Sequence, residues 1–102
     1  MIRLLMLPLL LSTAGCAWVT LDEGGSGVLA VESADVEDCR RIGKTTVSVR
    51  DRVAAIQRSP SRVASELKTL ARNSAAEMGG NRIVSTSPVD DGAREYAVFR
   101  CD

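Results

Sequence analysis

The sequence predicts an α+β domain: a small, mainly antiparallel sheet of three or four strands, one helix packed on a face, and one disulfide. Three observations predict it. Apolar residues recur at helical spacing between the Ser59-Pro60 start and the Gly79-Gly80 stop. Runs over residues 42–50, 82–86 and 94–101 have the β-branched and aromatic content of strands. Two cysteines, Cys39 and Cys101, bracket all of these elements.

Residues 1–15 stand apart from that domain. Arg3 is followed by Leu4, Leu5, Met6, Leu7, Leu9, Leu10 and Leu11, an apolar run too short for a bilayer, which needs about 20 residues. A basic start, a short apolar run and small residues before a cut site describe an export signal. Ser12-Thr13-Ala14-Gly15-Cys16 resembles a lipobox, the recognition site of lipoprotein signal peptidase, with Thr13 where leucine is usual. Cleavage before Cys16 and acylation of its thiol are expected, tying the protein to a membrane. Two or more acyl chains, at about 0.8 kcal/mol per buried CH₂, hold stably. The alternative is an ordinary signal peptide in which Cys16 is incidental. Ala17 follows Cys16, rather than the aspartate that enterobacterial sorting reads as inner-membrane retention. In a Gram-negative host the expected place is therefore the outer membrane, facing the periplasm.

Residues 16–27 read as the lipidated cysteine and a flexible tether, because Gly24-Gly25-Ser26-Gly27 is a pliant composition. Trp18 suits the headgroup boundary beside the anchor. Residues 28–102 are the domain. Val28 to Val31 form a short first strand, followed by the acids Glu32, Asp35, Glu37 and Asp38. Thr45, Val47 and Val49 alternate with Lys44, Thr46 and Ser48, a period of two. Residues 51–59 have no clean period and read as a loop with at most a helical turn. Ser59 is placed to cap the helix and Pro60 to occupy its first position. Val63, Leu67, Leu70, Ala71, Ser74 and Met78 then fall on one face, and Gly79-Gly80-Asn81 ends the helix. Ile83 and Val84 centre a strand, residues 87–92 are turn formers, and residues 94–101 make the last strand. Apolar residues on both faces of that strand leave open which side meets the helix.

With Cys16 acylated, Cys39 and Cys101 remain as a pair in an oxidising compartment. A redox or metal-binding pair would call for a Cys-x-x-Cys or a histidine, and the chain has no histidine. A structural disulfide is expected instead. If the strands at 42–50 and 94–101 are antiparallel neighbours, the start of one lies beside the end of the other. The two cysteines then fall within the roughly 4.4–6.8 Å Cα separation that a disulfide needs.

Function classes narrow further by exclusion. The chain carries 13 basic and 13 acidic residues, so it lacks the basic excess of a nucleic-acid binder. Without histidine it has no usual general base, and Ser61 or Ser65 beside Lys68 are ordinary helix-surface groups, so no enzyme, cofactor or metal site is expected. Charge is unevenly placed. Residues 17–38 hold Asp22, Glu23, Glu32, Asp35, Glu37 and Asp38, without a base and without the Asp-x-Asp spacing of a calcium loop. Residues 39–62 hold Arg40, Arg41, Lys44, Arg50, Arg52, Arg58 and Arg62 against Asp51 alone. The expectation is that the acidic segment lies against the basic one and neutralises it. Otherwise Arg50, Arg52 and Arg58 face lipid phosphate or an acidic partner. Asn73 and Asn81 are expected to bond backbone, with a polar contact surface as the second option.

Three segments carry a family resemblance: Arg72-Asn73-Ser74-Ala75-Ala76-Glu77-Met78-Gly79-Gly80-Asn81, Cys39-Arg40-Arg41-Ile42-Gly43 and Phe99-Arg100-Cys101. Over most of residues 36–101 the chain resembles a family of small bacterial lipoproteins, domain of unknown function 4156. The family's ending often has tyrosine where this chain has Phe99. The resemblance implies no catalytic function. The layout is also similar to that of an outer-membrane stress-sensing lipoprotein of a phosphorelay. The expected function is therefore a non-enzymatic, membrane-anchored envelope lipoprotein that binds a protein or envelope polymer, in stress sensing or assembly. An accessory structural lipoprotein without a specific ligand is the alternative.

Overall fold

A computed structural model describes residues 19–102; residues 1–15, expected to be an export signal, and Cys16 and Trp18 lie outside the described residues. Six strands and one helix follow in chain order: β1 (Leu29–Ala30), β2 (Arg40–Ser48), β3 (Arg52–Val53), β4 (Ile56–Gln57), α1 (Pro60–Glu77), β5 (Arg82–Ser85) and β6 (Ala93–Arg100). The main sheet has the order β1-β5-β6-β2. β6 is antiparallel to both β2 and β5, whereas the edge pair β1–β5 is parallel. The expected α+β layout is present, with one addition. Residues 51–59, read as a loop, contain a separate β3–β4 hairpin. Its two-residue turn is Ala54-Ala55, with Ala54 at φ 56°.

The helix buries Val63, Leu67, Ala71 and Ala75, one residue every four. Fully burying a side chain such as Leu67 contributes roughly 1.5–3 kcal/mol, and the two alanines let the helix sit close to the strands. Ala71 and Ala75 meet Val28, Ile83, Tyr96 and Val98 in the core, with Ile42 and Val47 at its margin. Tyr96 and Val98 therefore mark the face of β6 turned to the helix. Ala97 and Val84, paired across the strands, lie on the reverse face. Two details of the expected helix differ. Ser59 does not cap with its side chain, because its hydroxyl bonds Ser61 Oγ at 2.9 Å; Pro60 does hold the first position. Met78, expected on the buried stripe, is 39% exposed; it is the C-cap, one residue past the end of the helix at Glu77.

Gly79 takes φ +86° just past the helix. Its amide bonds Ala76 O at 3.0 Å and that of Gly80 bonds Ala75 O at 2.8 Å, the paired bonds of a Schellman stop. Gly80 is needed for space, since a Cβ there would strike Val98. Beyond the stop, Asp91 and Gly92 both have positive φ, and Asp90 and Ala93 exchange backbone bonds of 2.9 and 2.8 Å, closing the tight turn into β6.

Arg40 pairs with Arg100 across β2 and β6, so the residues next in line, Cys39 and Cys101, come together. The expected disulfide is formed, with a Cα–Cα distance of 4.7 Å and 62 residues of separation. A cross-link closing that loop stabilises by about 4 kcal/mol on the chain-entropy account. Replacing both cysteines by serine should lower the unfolding free energy by about that amount in urea titration, with m rising as the denatured chain expands.

Candidate functional site

Two asparagine clamps define the C-terminal half of the helix and what surrounds it. Asn73 Oδ1 accepts from the Asp22 amide at 2.7 Å, and its Nδ2 donates to Thr20 O at 2.8 Å. Next to it, Arg72 Nε donates to Val28 O at 2.7 Å. Residues 20–28 are thereby laid along α1, so the stretch expected to be a flexible tether is packed from Thr20 onward. Gly25 is buried under this contact, and a Cβ on it would run into Asn73 Oδ1. Its glycine serves close approach, not pliancy. Asn81 makes the matching clamp at the other end. Its Nδ2 donates to Cys101 O at 2.6 Å and its Oδ1 accepts from the Cys101 amide at 2.8 Å. Both asparagines bond backbone, the role expected of them, although Asn81 keeps negative φ. Their side chains are occupied within the fold.

The basic residues separate by position. Arg58 is committed: it donates to Arg50 O at 2.8 Å and forms an ion pair with Glu66, joining the base of the β3–β4 hairpin to α1. Arg50 and Arg52 are exposed at that hairpin. At the opposite end of β2, Arg40 and Arg41 are exposed, and so are Arg100 across from Arg40 and Lys44 in the middle of the strand. Arg100 was not among the candidate residues. Its signal lay in the cysteines, because pairing Cys39 with Cys101 places Arg100 opposite Arg40. Like charges directly opposed across a sheet cost a fraction of a kcal/mol.

The expected neutralisation of residues 39–62 by residues 17–38 is not made through ion pairs among the described residues, although Glu37 and Asp38 immediately precede Cys39 and β2. Among the described residues the ion pair is Arg58–Glu66, and neither partner comes from the acidic segment. Glu32 and Asp35 are instead turned on each other, with Asp35 Oδ2 accepting from the Glu32 amide at 3.0 Å.

Chemistry-bearing groups elsewhere are few. Thr45 Oγ1 and Ser74 Oγ lie 2.8 Å apart and join β2 to α1. Among the described residues neither Ser61 nor Ser65 hydrogen-bonds Lys68, and no group of three His, Cys, Asp or Glu is placed to hold a metal. No described helix is long and apolar enough to cross a membrane. Burial raises the pKa of Tyr96 above its ordinary value; the nearby Arg94 guanidinium, 5.7 Å from the ring centre, opposes the shift.

A family model described as a domain of unknown function (DUF4156) matches residues 19–101. No curated protein and no solved structure matches the chain. The match spans both asparagine clamps, the disulfide and the basic end.

Asn73→Ala should release residues 20–22 and Asn81→Ala the C-terminal strand end. Each loses two hydrogen bonds worth about 1 kcal/mol apiece. Limited proteolysis should then cut the Asn73→Ala protein near Thr20 sooner than the parent, and the Asn81→Ala protein no sooner there. Tyr96 is the chain's one tyrosine, so its ultraviolet titration reads a single group. Its folded pKa is raised, so its contribution to stability is complete below the unfolded value of about 10 and is lost as pH climbs through the folded value. Tyrosinate absorbance should therefore rise at higher pH in the folded protein than in the urea-unfolded chain.

Proposed function

This chain belongs to the DUF4156 family, and from that premise we propose that it is a lipid-anchored lipoprotein of the cell envelope, acylated on Cys16. In this reading the protein is not an enzyme. Its small disulfide-closed domain is a binding module for an acidic protein or envelope polymer, working in stress sensing or assembly. In a Gram-negative host it sits on the outer membrane and faces the periplasm. The anchor rests on the sequence from Arg3 to Cys16. The binding role rests on one observation: Arg40 and Arg100 are directly opposed, with Arg41 and Lys44 along the same strand on the other face of the sheet, all exposed and without an ion pair among the described residues.

A cluster of like charge held by a covalent closure is suited to bind an anionic partner. Each arginine offers a planar fork that carboxylate or phosphate oxygens fit bidentately. Salt should weaken the attachment, because exposed charges are screened within about 8 Å at physiological ionic strength.

Mass spectrometry of the native protein should find Cys16 acylated and residues 1–15 removed, and globomycin should leave the uncleaved precursor. A photo-crosslinker in place of Lys44 should trap one dominant partner, and Arg40→Glu should abolish that product while leaving the disulfide intact. A scatter of abundant neighbours would instead favour an accessory lipoprotein with no specific ligand.

A further inference from the structure

We propose that the β3–β4 hairpin is a second membrane contact: its apolar tip enters the interface of the leaflet that holds the anchor, while Arg50 and Arg52 meet lipid phosphate. The proposal rests on the lipid-anchor reading of Cys16 and adds a site to it. Val53, Ala54, Ala55 and Ile56 form an uninterrupted apolar tip, and all four are exposed. Ile56 is 73% exposed and Val53 41%. Arg50 and Arg52 precede this tip, exposed and outside any ion pair among the described residues. Apolar side chains at the end of a hairpin, with two cations on the arm leading into it, match the two layers of a lipid interface. The acyl boundary takes the former and the anionic headgroups the latter.

Placement relative to the anchor gives the second line of argument. Val19 lines one groove together with Val49, Arg50, Val53 and Leu70. Two residues, Ala17 and Trp18, separate Val19 from Cys16, and three Cα–Cα steps fully extended span at most about 11 Å. The described residues therefore begin on the hairpin side of the domain, three Cα–Cα steps along the chain from the residue that carries the anchor in this reading. The hairpin is also braced: the Arg58 amide bonds Asp51 O at 2.8 Å, and the Arg58 guanidinium ties Arg50 O to Glu66 on α1. An anchored domain presents the hairpin to the bilayer at high effective concentration, so a contact too weak to bind alone is populated. A protein partner is less well matched to this tip. A stable protein interface buries about 1,000 Å² or more, and a four-residue tip offers a small fraction of that.

The test uses the native acylated protein reconstituted into vesicles of phosphatidylethanolamine and phosphatidylglycerol with brominated acyl chains. Trp18 is the chain's one tryptophan. A Trp18→Phe background carrying Ile56→Trp therefore reports on the hairpin, and the same background carrying Thr46→Trp reports on the exposed face of β2. The expected result is blue-shifted emission at position 56 that the brominated chains quench, with position 46 unquenched. Arg50→Ala and Arg52→Ala should each lower the docked-to-undocked ratio by about fivefold, the equivalent of one basic residue leaving an anionic surface. Acylation is measured on the same samples by mass spectrometry. An acylated protein whose position-56 indole stays water-exposed and unquenched overturns this proposal alone. A protein recovered without acyl chains overturns the anchor reading and this proposal with it.

Discussion

Both ends of the domain are tied to one segment, the last turns of the helix and the stop that follows it, and the rest of the architecture depends on that. Arg72 and Asn73 hold residues 20–28 by their backbone, and Asn81 holds Cys101 by both of its backbone polar groups. Between the two clamps lie Ala75, which enters the core, and the Gly79-Gly80 stop that turns the chain into β5. In a domain of this size the buried apolar set is short, and termini fray unless they are fixed. Here the fixing is done by amides that satisfy distant backbone groups, reinforced by the disulfide at the same C-terminal point. The segment from Arg72 to Asn81 thus works as one structural unit. It explains why a stretch with so little reactive chemistry carries the family resemblance.

What could be read in the sequence follows from which interactions are local. The helix from Pro60 to Glu77 was legible because its period, its proline and its glycine stop agree over neighbouring residues. The disulfide was legible because cysteine count, the absence of a Cys-x-x-Cys or histidine partner and antiparallel register all constrain the same pair. The β3–β4 hairpin was not, since its turn is Ala54-Ala55 and lacks the Asn-Gly or Asp-Gly dipeptide that marks such turns. Ala54 adopts the left-handed conformation at a cost of roughly 1–2 kcal/mol, which composition alone does not announce. The packing of residues 20–27 was misread for a related reason. Glycine signals freedom and close approach equally, and only the position of Asn73 above Gly25 decides between them.

The candidate site was less legible than the fold. Arg50, Arg52, Arg58, Asn73 and Asn81 were chosen by residue type, and three of the five are occupied internally by partners that no spacing rule reveals. The acidic segment was expected to cancel the basic one; β1 lies at the far edge of the sheet from β2, whereas Glu37 and Asp38 lead directly into β2 and form no ion pair with it among the described residues. Two basic groups remain, at opposite ends of β2. At about 3.3 Å per residue, a nine-residue strand keeps them well beyond a Debye length apart, so each can take a different anionic partner without competing electrostatically with the other.

The disulfide has a role at the basic end beyond stability. Opposing Arg40 to Arg100 costs about half a kcal/mol, within the usual cross-strand range of roughly 0.2–1 kcal/mol per pair. On strand pairing alone, that repulsion would act at the last rung of the ladder, where fraying is cheapest, and would open it. The Cys39–Cys101 bond sits one residue beyond the pair and contributes about 4 kcal/mol, several times the repulsion. Closure therefore comes first and charge concentration is what it permits. A reducing environment would reverse that order, loosening the arginines together with the strand ends that present them.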